Sequence, residues 1–146
     1  MFKHILIPTD GSRLALKGAK VGVKLAAGLG ARVTAVYVVQ PYFPAVYGEA
    51  ALYVPSLKDY KKASERAARK ALAAIQAEAR AAGVTCATEV TTDPQPWGGI
   101  LRVARSRRCD AIALASHGRG ALGGLLLGSE TQRVLAHSKI PVLVIR

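Results

Sequence analysis

The chain has 146 residues, 51% hydrophobic and 21% charged, a profile that fits one domain with its own core and excludes a disordered chain. No apolar run is long enough to span a bilayer, and Met1 to His4 leads straight into a strand pattern, so a soluble, cytoplasmic protein without membrane contact is expected. The formal net charge of +12 raises the question of a polyanionic partner. Its cations, however, are spread over three predicted helices (Lys17 to Lys24, Lys58 to Lys70, Arg102 to Arg108) without an aromatic stacking platform, so nucleic acid is disfavoured.

In chain order, Lys3 to Thr9 reads as a buried strand that places Asp10 at its carboxyl end, before Gly11 and Ser12. Arg13 to Leu29 follows as a helix with apolar positions at Leu14, Leu16, Ala19, Val21, Val23, Leu25 and Ala26, stopping near Gly28 and Gly30. Asp10 or Ser12 can cap its start. The β-branched content of Arg32 to Val39 predicts a second strand. Gln40 to Ser56, with three prolines and four aromatic residues, reads as a long surface loop, either a lid or partner surface or a segment tacked down by its aromatics.

Leu57 to Ala82 is the longest predicted helix, with Gly83 as its stop, and Val84 to Thr91 is a third strand whose rough alternation suits a sheet edge. A shorter helix runs from the Asp93–Trp97 turn to about Arg107, with Trp97 as a packing anchor. Asp110 to Ala115 is a fourth strand whose Ala111 to Ala115 is an unbroken apolar run, followed by a glycine-rich loop containing Gly118, Gly120, Gly123 and Gly124. A helix from Ser129 to about His137 is predicted, with Ser129 and Gln132 spaced as a capping box. Ile140 to Ile145 closes the chain as a fifth strand. Its nearly continuous apolar character implies a covered position, most simply satisfied by pairing across a dimer.

Five alternations of strand and helix predict an α/β fold: a five-stranded parallel sheet, doubly wound and Rossmann-like, for which the common order 3-2-1-4-5 is expected. Ligands in such folds sit beyond the strand ends where the order reverses, between the first and fourth strands. Asp10 would there face the glycine loop and the start of the last helix, whose free amides and positive dipole end favour phosphate. The rival reading is a capped helix after a connecting loop, with no ligand. Cys86 and Cys109 lack metal-ligand or Cys-x-x-Cys spacing and read as reduced core or near-core thiols. His4 and His137 read as ordinary histidines without a site role.

Three stretches of the chain resemble the universal stress protein family over essentially its whole length. Ile7 to Ser12 (Ile-Pro-Thr-Asp-Gly-Ser) is similar to the family's opening motif, and Pro141 to Ile145 to its closing strand. Ser116 to Gly120 with Leu127 to Ser129 resembles the phosphate loop of the ATP-binding branch, including the spacing from Gly118 across residues 119–127 to Gly128-Ser129. One position departs: the first motif glycine is Ala115, whose methyl would crowd a close backbone approach and, in a left-handed backbone, would cost about 1–2 kcal/mol.

The resemblance implies that Pro8, Thr9 and Asp10 line the adenosine end, with Asp10 the main side-chain acceptor and Val38 giving backbone contacts to adenine. It implies that Ala115, His117 and Gly118 approach ribose and phosphates, and that Gly128, Ser129 and Glu130 supply amides; Arg119 is a candidate for neutralising charge. The implied ligand is ATP, or AMP or ADP, with Mg or Mn left open as a companion ion. The implied protein is a nucleotide-responsive regulatory homodimer in the stress response, paired through Pro141 to Ile145, with protein partners unspecified. No Walker-type Gly-Lys-Ser/Thr and no water-orienting carboxylate accompany the loop, so an enzyme is not expected, and no residue is nominated as catalytic. Slow ATP hydrolysis or autophosphorylation at a nearby serine is left open. Two other classes stand beside this: an interaction protein that uses no nucleotide, and a nucleotide-dependent transferase or hydrolase acting through His117.

Overall fold

The computed structural model describes residues 1–44, 54–117 and 127–146. Five strands, β1 (His4–Thr9), β2 (Arg32–Val39), β3 (Cys86–Thr92), β4 (Ala111–Ala115) and β5 (Val142–Ile145), alternate with four helices, α1 (Arg13–Leu29), α2 (Leu57–Ala81), α3 (Pro96–Ser106) and α4 (Ser129–His137). The strand pairs are parallel, as the alternation predicted, and their order, β3-β2-β1-β4-β5, is the common one expected for such sheets. β1 pairs β2 from His4↔Arg32 to Thr9↔Tyr37, and pairs β4 at Ile5↔Ala111 and Leu6↔Ile112. Strand β3 begins two residues later than Val84, and β5 begins at Val142 instead of Ile140.

The strands of the sheet centre divide their side chains between two cores because consecutive residues point to opposite faces. Ile5, Ile7, Val33, Ala35 and Ala113 meet α1 and α2, whereas Leu6, Val36, Ile112 and Leu114 meet α3 and α4. This two-sided burial explains the unbroken apolar runs of β1 and β4.

Helix α1 uses a different face from the one its larger residues indicate. Its buried positions are Ala15, Gly18, Ala19, Gly22, Val23 and Ala26, while Leu14 and Val21 are 38% and 43% exposed. Small residues let the helix lie close to the sheet: a methyl added at Gly18 would stand 3.1 Å from Ala115 Cβ, and one at Gly22 would stand 2.9 Å from Ile7 Cδ1. Ser12 caps α1 by accepting from the Ala15 amide, and Gly30 ends it at φ 61°, a left-handed conformation that glycine adopts without strain.

At the opposite end of the sheet, Asp110 fastens β4 to the start of β1. Its carboxylate accepts the Lys3 and His4 amides at 2.8 and 3.0 Å. Burial pushes the Asp110 carboxyl up, but these two amides together with its own outweigh it and hold the pKa below the ordinary range. His4, for which the sequence indicated no role, is a core residue: 7% exposed, its Nε2 lies 2.8 Å from Thr34 Oγ1. Burial and then Arg32 lower its pKa. Both cysteines are free, and burial pushes the Cys109 thiol up to about 11.

Candidate functional site

A cavity of about 610 Å³ lies beyond the carboxyl ends of β2, β1 and β4, where the strand order reverses. Its floor is made by three strand exits. At the end of β1, Thr9 Oγ1 accepts the Gly11 amide and Asp10 Oδ1 accepts the Ser12 amide, so the chain turns sharply through Gly11, at φ 79°, into α1. Asp10 is therefore not the helix cap; Ser12 is, and Asp10 lines the cavity.

At the end of β2, peptide groups of successive residues face opposite neighbours. The Val39 carbonyl accepts the Asp93 amide on the β3 side, which leaves Val38 turned toward β1. β1 has already ended opposite Tyr37 and the Gly11 amide is bonded to Thr9, so the Val38 carbonyl opens on the cavity. The Val38 side chain packs the other way, against α3, where a Cβ at Gly99 would come within 2.8 Å of it.

At the end of β4, the first turn of α4 is stitched to the strand. Gly128 donates its amide to the Ser116 carbonyl at 2.8 Å, and Thr131 Oγ1 donates to the Ala115 carbonyl at 3.1 Å. The amides of Ser129 and Glu130, in that first turn, have no helical acceptor and lie at the cavity wall. The predicted capping box does not form: Gly128 is the N-cap, Ser129 is the first helical residue, and Gln132 sends its side chain to the Leu127 carbonyl. Glycine in this extended cap places its own amide on Ser116 and leaves no side chain between the helix start and the cavity.

Glu130 directs its carboxylate to the start of α3. Its Oε2 accepts the Trp97 amide at 2.8 Å and so caps α3, whose own N-cap, Gln95, makes no side-chain bond. Trp97 in turn stacks on His137 at 4.6 Å, which bears out its reading as an anchor.

Ala115 departs from the resembled motif without backbone strain, since among the described residues only Arg108 is a non-glycine with positive φ. Its methyl faces Gly18 of α1, where the absence of a side chain provides the room it needs. The crowding that the motif glycine avoids is thus met by a second glycine in the facing helix.

Of the residues nominated from sequence, Pro8, Thr9, Asp10, Val38, Ala115, His117, Gly128, Ser129 and Glu130 all line this one cavity. Gly118 and Arg119 fall outside the described residues, as does most of the glycine loop. His117 is half-buried, with Nδ1 3.1 Å from Ser116 Oγ. The sequence reading missed the α2 wall, Tyr60, Ala63, Ser64 and Ala67, and also Gln40, Pro96 and Thr131. The i, i+3, i+4, i+7 spacing on α2 marks an inward face, but spacing alone does not say which part of that face passes the sheet edge.

Tyr42 and Tyr60 hold the described ends of the long loop. Their rings lie 5.2 Å apart, Tyr60 donates to the Gln40 carbonyl and Tyr42 to the Pro55 carbonyl. Tyr47 and Tyr53 lie outside the described residues. Among the described residues no three His, Cys, Asp or Glu side chains converge as a metal site, and no helix is long and apolar enough to cross a membrane.

A doubly wound α/β chain with a roomy cleft at its switch point, floored by strand ends and closed by a helix N-terminus, has the architecture of a small-ligand binding protein. The sequence model of the universal stress protein family matches residues 1–146, and the chain belongs to that family. It is 35% identical over 148 residues to a universal stress protein of Thermus aquaticus, covering 100% of both chains. A universal stress protein from Lactobacillus plantarum superposes with a TM-score of 0.77 at 25% identity, over 99% of this chain and 98% of that one. A universal stress protein solved in complex with cAMP superposes with a TM-score of 0.73 at 21% identity, over 99% and 97%.

Proposed function

We propose that residues 1–146 act as one nucleotide-binding domain whose cavity takes an adenine nucleotide, ATP or AMP, and that the protein is a cytoplasmic, nucleotide-responsive regulator in the stress response. The observation that carries this reading is the single cavity joining two ends of opposite character. At one end the Val38 carbonyl and the apolar side chains of Ala63, Ala67, Pro96 and Ile100 suit a purine; at the other, the first-turn amides of α4 suit a phosphate. Asp10, at the end of β1 on the same cavity floor, is an acceptor for sugar hydroxyls. The volume, about 610 Å³, falls within the range that small ligands and cofactors fill.

The turning of Glu130 toward Trp97 removes a carboxylate that would repel phosphate at close range. A companion Mg or Mn, held chiefly by the nucleotide's phosphates and water, belongs to the same proposal. Calorimetry with ATP and AMP tests the reading: dissociation constants of about micromolar to sub-millimolar are expected, worth about 8 to 4 kcal/mol. A folded protein that takes up neither nucleotide refutes it and leaves the nucleotide-independent interaction protein.

The dimer is part of the same proposal. Among the described residues β5 pairs only with β4, and its Leu143 is 44% exposed. Beside it lies an apolar hollow of about 190 Å³, lined by Phe2, Ile5, Leu25, Pro141, Val142 and Leu143 among others. An edge strand of this composition with an apolar hollow at its flank suits pairing with a second copy through Pro141 to Ile145.

A further inference from the structure

The α2 wall of the cavity carries one hydroxyl that, among the described residues, is not committed to a protein partner. The residues that α2 places on the cavity are Tyr60, Ala63, Ser64 and Ala67. The Tyr60 hydroxyl is committed to the Gln40 carbonyl and its ring to Tyr42, so Tyr60 is a fixed piece of wall. Ala63 and Ala67 are methyl groups. Ser64 is half-buried between them, and among the described residues nothing is hydrogen-bonded to its hydroxyl.

That state is not the ordinary one for a helical serine. A serine within a helix usually turns its hydroxyl back to a carbonyl of the preceding turn, as Ser106 does by donating to Val103 at 3.2 Å. Among the described residues the buried side-chain polar atoms without a partner are His4 Nδ1 and Trp97 Nε1, so the Ser64 hydroxyl is not sealed off but open to the cavity, free to bond water or a ligand there. Ser64 lies one turn after Tyr60, whose hydroxyl bonds the Gln40 carbonyl just beyond β2, so it lines the cavity on the helix that packs against the β2 exit. A hydroxyl both donates and accepts, so it can meet either kind of atom on the polar edge of a heterocycle.

We propose that Ser64 is a nucleobase contact: its hydroxyl bonds the polar edge of the purine from the α2 side, while the Val38 carbonyl does so from the strand side. This rests on the nucleotide reading above and deepens it by naming a side chain that recognises the base. The test compares AMP with ribose 5-phosphate, which lacks the base alone, on wild type and the variants Ser64→Ala and Ser64→Thr. ATP and AMP are followed by calorimetry and ribose 5-phosphate by competition with AMP. Ser64→Ala is expected to weaken AMP about three- to tenfold, the worth of one net hydrogen bond, and to leave ribose 5-phosphate unchanged. Ser64→Thr, which keeps the hydroxyl, is expected to recover at least half of the lost affinity on a logarithmic scale. Unchanged AMP affinity in Ser64→Ala overturns the inference, and so does equal weakening of AMP and ribose 5-phosphate, which would mark a general disturbance of the cavity. Failure of the wild type to bind ATP or AMP is a separate outcome that removes the nucleotide reading and this inference together.

Discussion

Placing a methyl group at Gly18 tests whether this glycine makes room for Ala115. In isolation the substitution favours a helix, since alanine is better than glycine in a helix interior by about 1 kcal/mol. Here the new Cβ would lie 3.1 Å from Ala115 Cβ and 3.2 Å from its Cα and amide nitrogen, and the backbone of a central strand cannot swing aside. Overpacking of this kind costs about 1–3 kcal/mol, so Gly18→Ala should come out destabilising by up to about 2 kcal/mol. Ala115→Gly alone should also destabilise, by about 1 kcal/mol, through chain entropy in the strand and a lost methyl contact.

In combination the two changes exchange the methyl between helix and strand. The nearest clash disappears, the helix keeps its propensity gain, and only the 3.2 Å contacts with strand backbone persist. A favourable coupling of about 1 kcal/mol is therefore expected in a double-mutant cycle, read by urea denaturation of the wild type, both single variants and the double variant. Additivity within about 0.5 kcal/mol would refute the compensation and return Ala115 to the status of an unexplained departure. Nucleotide affinity should change less than about threefold in Ala115→Gly, because the methyl points at α1. A large gain in affinity would show that it obstructs the ligand after all.

Stability should fall in two steps on acidification. His4 has a folded pKa lowered by burial, so its contribution is present above the unfolded value of about 6.5 and is lost as pH falls through the window below it. Asp110 is likewise depressed, so its contribution is complete above about pH 3.9 and disappears as pH falls through its lower folded pKa. Asp110→Ala should cost about 1–3 kcal/mol at neutral pH, and its denaturation curve should approach the wild type's at acid pH; a constant difference down to pH 2 would contradict the assignment. At the other sheet edge, Leu143→Lys should shift the protein to monomer in sedimentation velocity while leaving far-UV circular dichroism intact, and a wild type that sediments as monomer at high concentration would rule out the dimer.

The parallel sheet covered on both faces was readable because each strand–helix alternation obeys the same handedness and burial rules, and because Ile5 to Ile7 and Ala111 to Ala115 lack any polar alternation; the order 3-2-1-4-5 is the common one for such sheets, which alternation alone does not choose. The switch-point location of Asp10 and Ser129 followed from that order. What escaped was set by tertiary contact. The buried face of α1 is written in Gly18, Ala19 and Gly22, which carry little hydrophobic weight, so Leu14 and Val21 drew attention to the wrong side. The pairing of Ser129 with Gln132 had capping spacing, but the strand carbonyl of Ser116 fixes Gly128 one residue earlier, and local spacing contains no record of that bond. Ser64 was invisible for the same reason: its distinction lies in what the neighbouring strand ends leave open.

The bond from the Trp97 amide to Glu130 places the chain's one tryptophan against the helix turn whose amides face the cavity. Its indole also lies flat on the His137 ring, at the other end of that same helix. A change at the start of α4 therefore reaches an intrinsic fluorophore through a single side chain, without any label. Emission from Trp97 should shift when phosphate occupies the helix start, and Glu130→Gln should mute that optical signal more than it changes affinity. With one tryptophan in the sequence, such a shift would be read against a background free of other indoles.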